Sequence, residues 1–560
     1  MTGNHLRTAS RSAWIGALAI VLSFSGPVPR ADVRAQQPDS GRPRLLVLLA
    51  TDQFPSEYIT LYSHQWTKGL RRLLDEGALF TEGAYPYAGT TTCAGHATIG
   101  TGAYPHRHGM IGNQWYDREL DRTVTCEEDP DVDPVVLSEG TTSNRHSAKY
   151  IQVPTLADEL QRQRPGAVRV VSVAEKARSA IGLGGRGGPD AIVLWKSSGR
   201  VWSTSTAFTS RPWDEAVTFL QKRSITDDFG RVWTRLLPES AYLFDDDAPA
   251  EPEPAPWTRT FPHIVHSPKG PDDGLFATAW GRSPFADEFV IDFAIHLLKA
   301  RELGRGDRTD FLAVSLGSLD QAGHQFGPRS HEVQDVLARA DVAIGRLLDA
   351  LDEQVGRGRY TLAWSADHGV ARIPEEVEAE GGDAGRLGPL RTLADGLLRW
   401  TLGNERYVGL ADGAQLSLTP DGLRLVEDRP DVKQLLMSAL AASPGVTKVF
   451  DRATLESSEP TDDPDLRAWR LSYFPDRSGD FIVVTKRNWI YGARSEIGTN
   501  HGSPHDYDRR VPVLLFGAGI RPGKYDTSAS PADLVPTLAS LAGISLSTAE
   551  GRVLTEALVR

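Results

Sequence analysis

Unbroken apolar runs of strand length punctuate the chain. The first is Leu45 to Ala50, within RPRLLVLLATDQF, and the pattern returns as VRVVSVA (168–174), DFLAVSL (310–316), YTLAWSA (360–366) and VPVLLFGAG (511–519). A run without polar alternation fits a parallel strand buried on both faces. Between these runs the spacing turns helical, in TKGLRRLLDEG, FADEFVIDFAIHLLKARELG, SHEVQDVLARADVAIGRLLDALDEQ with Ser330 at its N-cap position, and PADLVPTLASLAG. Strands alternating with helices predict an α/β fold with a mainly parallel central sheet flanked by helices. Two stretches break the alternation: residues from about 200 to 283, rich in Trp, Pro and Asp, and residues from about 373 to 479, with a Gly-rich stretch. Both are expected to be insertions that build a cap over one edge of the sheet. No repeat of solenoid period interrupts the pattern.

At 560 residues the chain exceeds one ordinary core, so a large domain with insertions, or two to three domains, is expected. The 61 basic and 73 acidic residues leave a net charge of −12. That balance excludes a nucleic-acid-coating protein and a general binder of anionic membranes, and makes any affinity for phosphate a local property. At the N-terminus, Arg7 and Arg11 precede a short apolar run from Ala13 to Phe24, and Val33-Arg34-Ala35 offers small residues for a signal peptidase. The run is too short to cross a bilayer. Residues 1–35 are therefore expected to be a cleaved secretory signal, leaving no stable membrane anchor and a periplasmic or secreted protein. The catalytic-sized domain is expected to span 44–560. Cys93 and Cys126 are the two cysteines; an exported chain permits them to pair, and spacing alone leaves the question open.

In open α/β sheets ligands gather at the carboxyl ends of the strands. Asp52 follows the first apolar run, Lys176 and Arg178 the second, Asp320 and His324 the third, and Asp367-His368 the fourth, while His501 lies in TNHGSPHDYD before the last. Each residue alone reads as a turn former or a structural histidine. Their recurrence at equivalent ends is the signal. TTTCAGHATIGTG (90–102) leaves open whether one of its hydroxyls is a nucleophile or the segment merely caps a helix of small residues. GLGGRG (182–187) satisfies the dinucleotide fingerprint G-x-G-x-x-G, but GPDAIVLW after it reads as a strand where that motif needs a helix, so a flexible loop is expected there.

The segments TDQ (51–53), TCAGHATIGTGAYPHRHGMIGNQWYD (92–117), EKAR (175–178), SLDQAGHQFGP (318–328), SADHG (365–369) and TNHGSPHDYD (499–508) occur in the order found in the alkaline phosphatase superfamily. The chain resembles in particular its phosphate-irrepressible, threonine-nucleophile alkaline phosphatases. That resemblance implies two zinc ions, one held by Asp320, His324 and His501, the other by Asp52, Asp367 and His368 with Thr92. Three protein ligands leave a catalytic zinc an open position, and Asp320 and His324 have the i, i+4 spacing of one helical face. The resemblance makes Thr92, four residues before His96, the nucleophile of a phosphothreonine intermediate, and Thr90 and Thr91 loop residues. Cys93 is not the cysteine of sulfatases, because CAGHA lacks the proline and arginine their motif requires after it.

The same resemblance makes Asn113 a donor to a phosphoryl oxygen and gives Lys176 and Arg178 to the substrate. Three aspartates and a threonine alkoxide carry about −4 and two zinc ions carry +4, so the two cations tip the site toward a dianion. Small-molecule phosphate monoesters are the implied substrates, and diesterases of the superfamily typically lack the Lys-x-Arg pair. The implied function is an exported zinc-dependent phosphomonoesterase. The alternatives are a nucleotide pyrophosphatase/phosphodiesterase with the same metals, and a non-catalytic zinc- or phosphate-binding protein. The physiological substrate and the oligomeric state are left open.

Overall fold

The structure, a computed structural model, describes residues 41–493 and 497–559. The expected signal segment lies outside the described residues. From Gly41 onward the chain forms one compact unit. Among the described residues, fourteen strands make up its two largest sheets. They are β1 (Leu45–Thr51), β2 (Ala78–Phe80), β3 (Pro134–Val136), β4 (Val170–Ala174), β5 (Ala191–Lys196), β6 (Trp202–Ser205), β7 (Asp310–Leu316), β8 (Tyr360–Ser365), β9 (Val408–Asp412), β10 (Gln415–Leu418), β11 (Val446–Asp451), β12 (Phe481–Thr485), β13 (Val513–Gly517) and β14 (Gly523–Tyr525). Ten build the central sheet in the order β14-β2-β13-β8-β1-β7-β4-β5-β6-β3. The five middle strands, β8, β1, β7, β4 and β5, are mutually parallel. Strand β13 runs antiparallel to β8, and β6 antiparallel to β5.

The apolar runs are buried on both faces, as their pattern demands. In β1, Leu45, Val47 and Leu49 join one core cluster with helices α1 (Gly69–Glu76), α5 (Pro284–Ala300) and α7 (His331–Gln354). Leu46, Leu48 and Ala50 point the other way, into a cluster with α3 (Leu156–Gln163) and α8 (Leu534–Ala542). Three further helices carry site residues: α2 (Thr92–Thr101), α4 (Ala177–Gly184) and α6 (Ser318–Phe326). The Ser330 hydroxyl accepts from the Val333 amide at 3.2 Å and caps α7.

The stretch expected as an insertion from residue 200 opens with β6, a strand of the central sheet; the irregular chain after it is anchored to α7. Asp335 of that helix accepts from Trp233 Nε1 (2.6 Å), the Leu236 amide (2.6 Å) and the Tyr242 hydroxyl (2.5 Å). The stretch expected over 373–479 contains a four-stranded sheet, β9-β10-β12-β11, with its own apolar cluster, and its third strand in that order reaches Thr485. GLGGRG is not a loop throughout: Gly182 to Gly184 form the last turn of α4. A side chain at Gly100 of α2 would meet the Gly182 carbonyl oxygen at 2.1 Å, so these glycines let two helices touch backbone to backbone.

Candidate active site

Four adjacent parallel strands deliver their loops to one place. Asp367 and His368 follow β8, Asp52 follows β1, Asp320 and His324 lie on α6 after β7, and Lys176 follows β4. His501 precedes β13, yet because β13 is antiparallel to β8 its incoming loop opens at the same end of the sheet. Thr92 is the first residue of α2. That helix comes so close that a side chain at Gly95 would lie 2.2 Å from the Asp367 carbonyl oxygen. A cavity of about 440 Å³ is lined by Thr92, Asn113, Lys176, Arg178, Asp320, His324 and His501, among others. The structure thus brings these seven sequence-derived site residues to one cavity, with Asp52, Asp367 and His368 buried beneath them.

The three histidines are oriented as ligands. Nδ1–H of His368 donates to the Gly369 carbonyl (3.0 Å), that of His324 to the Thr499 carbonyl (2.9 Å) and that of His501 to the Thr90 carbonyl (2.8 Å). Each Nε2 therefore presents a lone pair. The His368 Nε2 lies 3.3 Å from Asp52 Oδ1 and 3.3 Å from Asp367 Oδ2. All three atoms are buried and have no hydrogen-bond partner. Three electron-pair donors facing one another out of reach of water call for a cation among them.

Asp320, His324 and His501 bring one donor atom each within 4.8 Å of one another, and so do Asp52, Asp320 and His368. Asp320 thus stands between both candidate ion positions, where the resemblance put Asp367 in the second. Both groupings are Asp/His sets of the kind zinc accepts. A grouping of Cys93, Cys126 and Glu127 is of another kind, because its two sulfurs are joined in a disulfide.

Residues 46–508 match the family described as type I phosphodiesterase / nucleotide pyrophosphatase. The chain belongs to this family. The chain is 30% identical to alkaline phosphatase PafA of Elizabethkingia meningoseptica over 533 residues, covering 93% of this chain and 95% of that protein. It is 30% identical to alkaline phosphatase PhoV of Synechococcus elongatus over 535 residues, covering 92% and 93%. The crystal structure of wild-type PafA superposes with a TM-score of 0.84 at 30% identity, covering 92% of this chain and 99% of that one. The central sheet of this type I phosphodiesterase family member is the alkaline-phosphatase-like sheet that the motifs implied.

Charge in the site is arranged around Lys176. Its Nζ lies 2.6 Å from Asp52 Oδ2 and 2.5 Å from Asp320 Oδ2, with 13% of the side chain exposed. The ammonium expected at the phosphoryl oxygens therefore also neutralises two candidate ligands. Burial opposes its charge, but Asp320 and Asp52 outweigh burial and raise its pKa. Burial also works against Asp320, yet Lys176 and His324 hold that carboxyl well below the usual range. Asp52 goes the other way: burial, then repulsion from Asp320 and Asp367, pushes it well up. Burial, with His368 and His324 nearby, pushes His501 well below the ordinary histidine value, which keeps its ring neutral and fit to ligate.

Around Thr92 the geometry is stapled. Asn113 Oδ1 accepts from the Cys93 amide (3.0 Å), which leaves its NH2 group for the cavity it lines. The Cys126 amide donates to the Asn113 carbonyl (3.0 Å), and the disulfide joins Cys93 to Cys126. Glu127, the next residue, stands 3.6 Å from Arg178 Nη1. Two residues that sequence reasoning passed over hold candidate ligands in place. Gln53, at a left-handed φ of 62°, donates its amide to Asp367 Oδ1 (3.0 Å) and its Nε2 to Asp320 Oδ1 (2.8 Å). His96 bonds the Thr92 carbonyl through Nδ1 (2.9 Å) and Ser315 Oγ through Nε2 (2.8 Å), and its Nδ1 stands 3.2 Å from Asp367 Oδ2. Gln53 directly after a strand-end aspartate was the signal available for the first; the second was read only as a marker of the motif.

Proposed function

We propose that this protein is a phosphomonoesterase of the alkaline phosphatase kind, exported and zinc-dependent, that hydrolyses small phosphate monoesters with Thr92 as nucleophile. The single observation that carries the reading is Thr92 at one cavity with Asn113, Lys176 and Arg178, above the unpartnered donors of Asp52, Asp367 and His368. Asp320, His324 and His501 would hold one zinc ion, and Asp52, Asp367 and His368 with Thr92 the other. Bound there, the two ions would lower the proton affinity of a hydroxyl or water and offset developing negative charge.

The chain's own groups supply the rest. The Thr92 oxygen forms a bond to phosphorus as the bond to the leaving oxygen breaks, giving a phosphothreonine and an alcohol. Water then adds to phosphorus and the Thr92–phosphorus bond breaks, releasing inorganic phosphate and restoring the hydroxyl. Asn113, Arg178 and Lys176 stabilise the non-bridging oxygens in both half-reactions. His96 holds the first turn of α2 against the ligand loops, so the attacking oxygen stays in register.

The family description favours a second reading, a phosphodiesterase using the same groups. Rates on p-nitrophenyl phosphate and bis(p-nitrophenyl) phosphate, measured with metal-loaded and chelated protein, separate the two. A monoester preference that chelation abolishes is expected; a diester preference puts the second reading first, and no turnover of either ester overturns both.

A further inference from the structure

We propose that the part of the cavity beyond Arg178, walled by Asn144, His146, Lys196 and Ser197, is a subsite for a hydroxyl-rich leaving group, a sugar or polyol carried on the phosphate. The proposal rests on the phosphomonoesterase reading and names its substrate class.

About 440 Å³ is the size of cavities that enclose whole small molecules, well beyond the needs of a phosphate group. Such cavities are ordinarily walled by apolar and aromatic side chains around a few polar groups. Here the proportion is reversed. Among the lining residues the apolar one is Ala177, and none is Phe, Tyr or Trp. A nucleoside or aryl leaving group would find no ring larger than the His146 imidazole to stack on and would leave polar walls unpaired, which costs more than a missing contact.

The wall is built and retains capacity. Lys196 ends β5, with 12% of its side chain exposed. Its Nζ stands 3.2 Å from Glu175 Oε1 and 3.4 Å from the Gly199 carbonyl, two acceptors for three donors. Glu175 is fixed in turn by Gln321 Nε2 at 2.7 Å. Trp195 packs beside the His146 ring with centroids 5.9 Å apart and fixes that side of the wall. Ser197 Oγ pairs with Thr142 Oγ1 at 2.7 Å, and the loop that follows places Asn144 at the cavity. Because Lys196 is balanced by Glu175, the wall offers directed donors and acceptors with little net charge. Neutral hydroxyls match it better than a second phosphate would.

The test uses metal-loaded enzyme and the kcat/KM values for glucose 6-phosphate and phenyl phosphate, compared as a ratio within each variant so that leaving-group reactivity cancels. Lys196→Met should lower the ratio about ten-fold or more, and Asn144→Leu about three- to ten-fold, the effects of a charged and a neutral hydrogen bond. Thermal melts verify folding; should Lys196→Met not fold, the half-buried Asn144 carries the test, since its side chain holds no other element in place. A ratio unchanged in the folded variants overturns the subsite. Failure of the wild-type enzyme to hydrolyse phenyl phosphate overturns the phosphomonoesterase reading instead.

Discussion

Replacing Lys176 with methionine keeps the stem of the side chain up to Cε and removes the charged atom that bridges Asp52 and Asp320. At an effective dielectric constant of about 20, each of the two contacts, at 2.6 and 2.5 Å, is worth about 6 kcal/mol before desolvation. Removing one partner of a buried pair costs about 3–5 kcal/mol in practice. The lower end is expected, because Asp52 is already pushed toward its neutral form and can take up a proton. In chelated protein Lys176→Met should therefore cost about 3 kcal/mol, a fall in Tm of about 3 °C for a unit of this size. In zinc-loaded protein the ions neutralise the same carboxylates, and the cost should be about 1 kcal/mol. The difference of about 2 kcal/mol must reappear, by linkage, as about thirty-fold tighter metal binding in the variant. Denaturant melts with and without chelator, together with competitive metal titration, measure both sides of this cycle. Equal destabilisation of chelated and loaded protein, or weaker metal binding by the variant, would refute the view that the ammonium and the metals share these carboxylates.

Thr92→Ala should lose at least about 10³-fold in phosphate release while keeping most of its bound metal, because the ligand histidines and aspartates stay in place; near-normal turnover would remove Thr92 from the mechanism. Glu251 is pushed up to about 10 by burial and by Glu332, Glu376 and Asp246, against Arg259. A carboxyl whose folded pKa is raised contributes stability at low pH that is lost as pH climbs from its unfolded value toward 10. Glu251→Gln should accordingly raise Tm at pH 9–10 relative to the parent while changing it little near pH 4, as melts across that range would record.

The sequence revealed most where one physical rule acted alone. β1, β7 and β8 are long, unbroken and buried on both faces, so their runs could be read directly, and with them the strand ends that carry Asp52, Asp320, Asp367 and His368. β2, β3 and β14 span three residues each and pair at or near the sheet edges, too short for any period to register. β6, WSTS, is fully buried despite three hydroxyl side chains; two of them are satisfied, Thr204 donating to the Val193 carbonyl (2.7 Å) and Ser205 to the His146 carbonyl (2.6 Å). The glycines of GLGG read as freedom when their work is contact, which depends on what α4 packs against. Site composition followed the same division. Residue identity pointed to the ligands, whereas the positions of Lys176 between two carboxylates and of Asp320 between two donor groups depend on distances across the sheet.

The order of the ligands along the chain also sets a timetable. At about 5–20 residues per second, synthesis delivers His501 about 20–90 s after Asp52. Until then no emerging segment holds both complete donor groups, and β13, which brings the His501 loop to the right end of the sheet, is still later. The group of Asp52, Asp367 and His368 is complete in the chain by residue 368, whereas the group of Asp320, His324 and His501 waits for nearly the whole chain. Lys176 appears before Asp320, Asp367 and His368, so the internal counterion is at hand when the carboxylates first come together. Completion of the donor group that includes His501 is then the last assembly step of the candidate site, and it falls to a nearly finished chain.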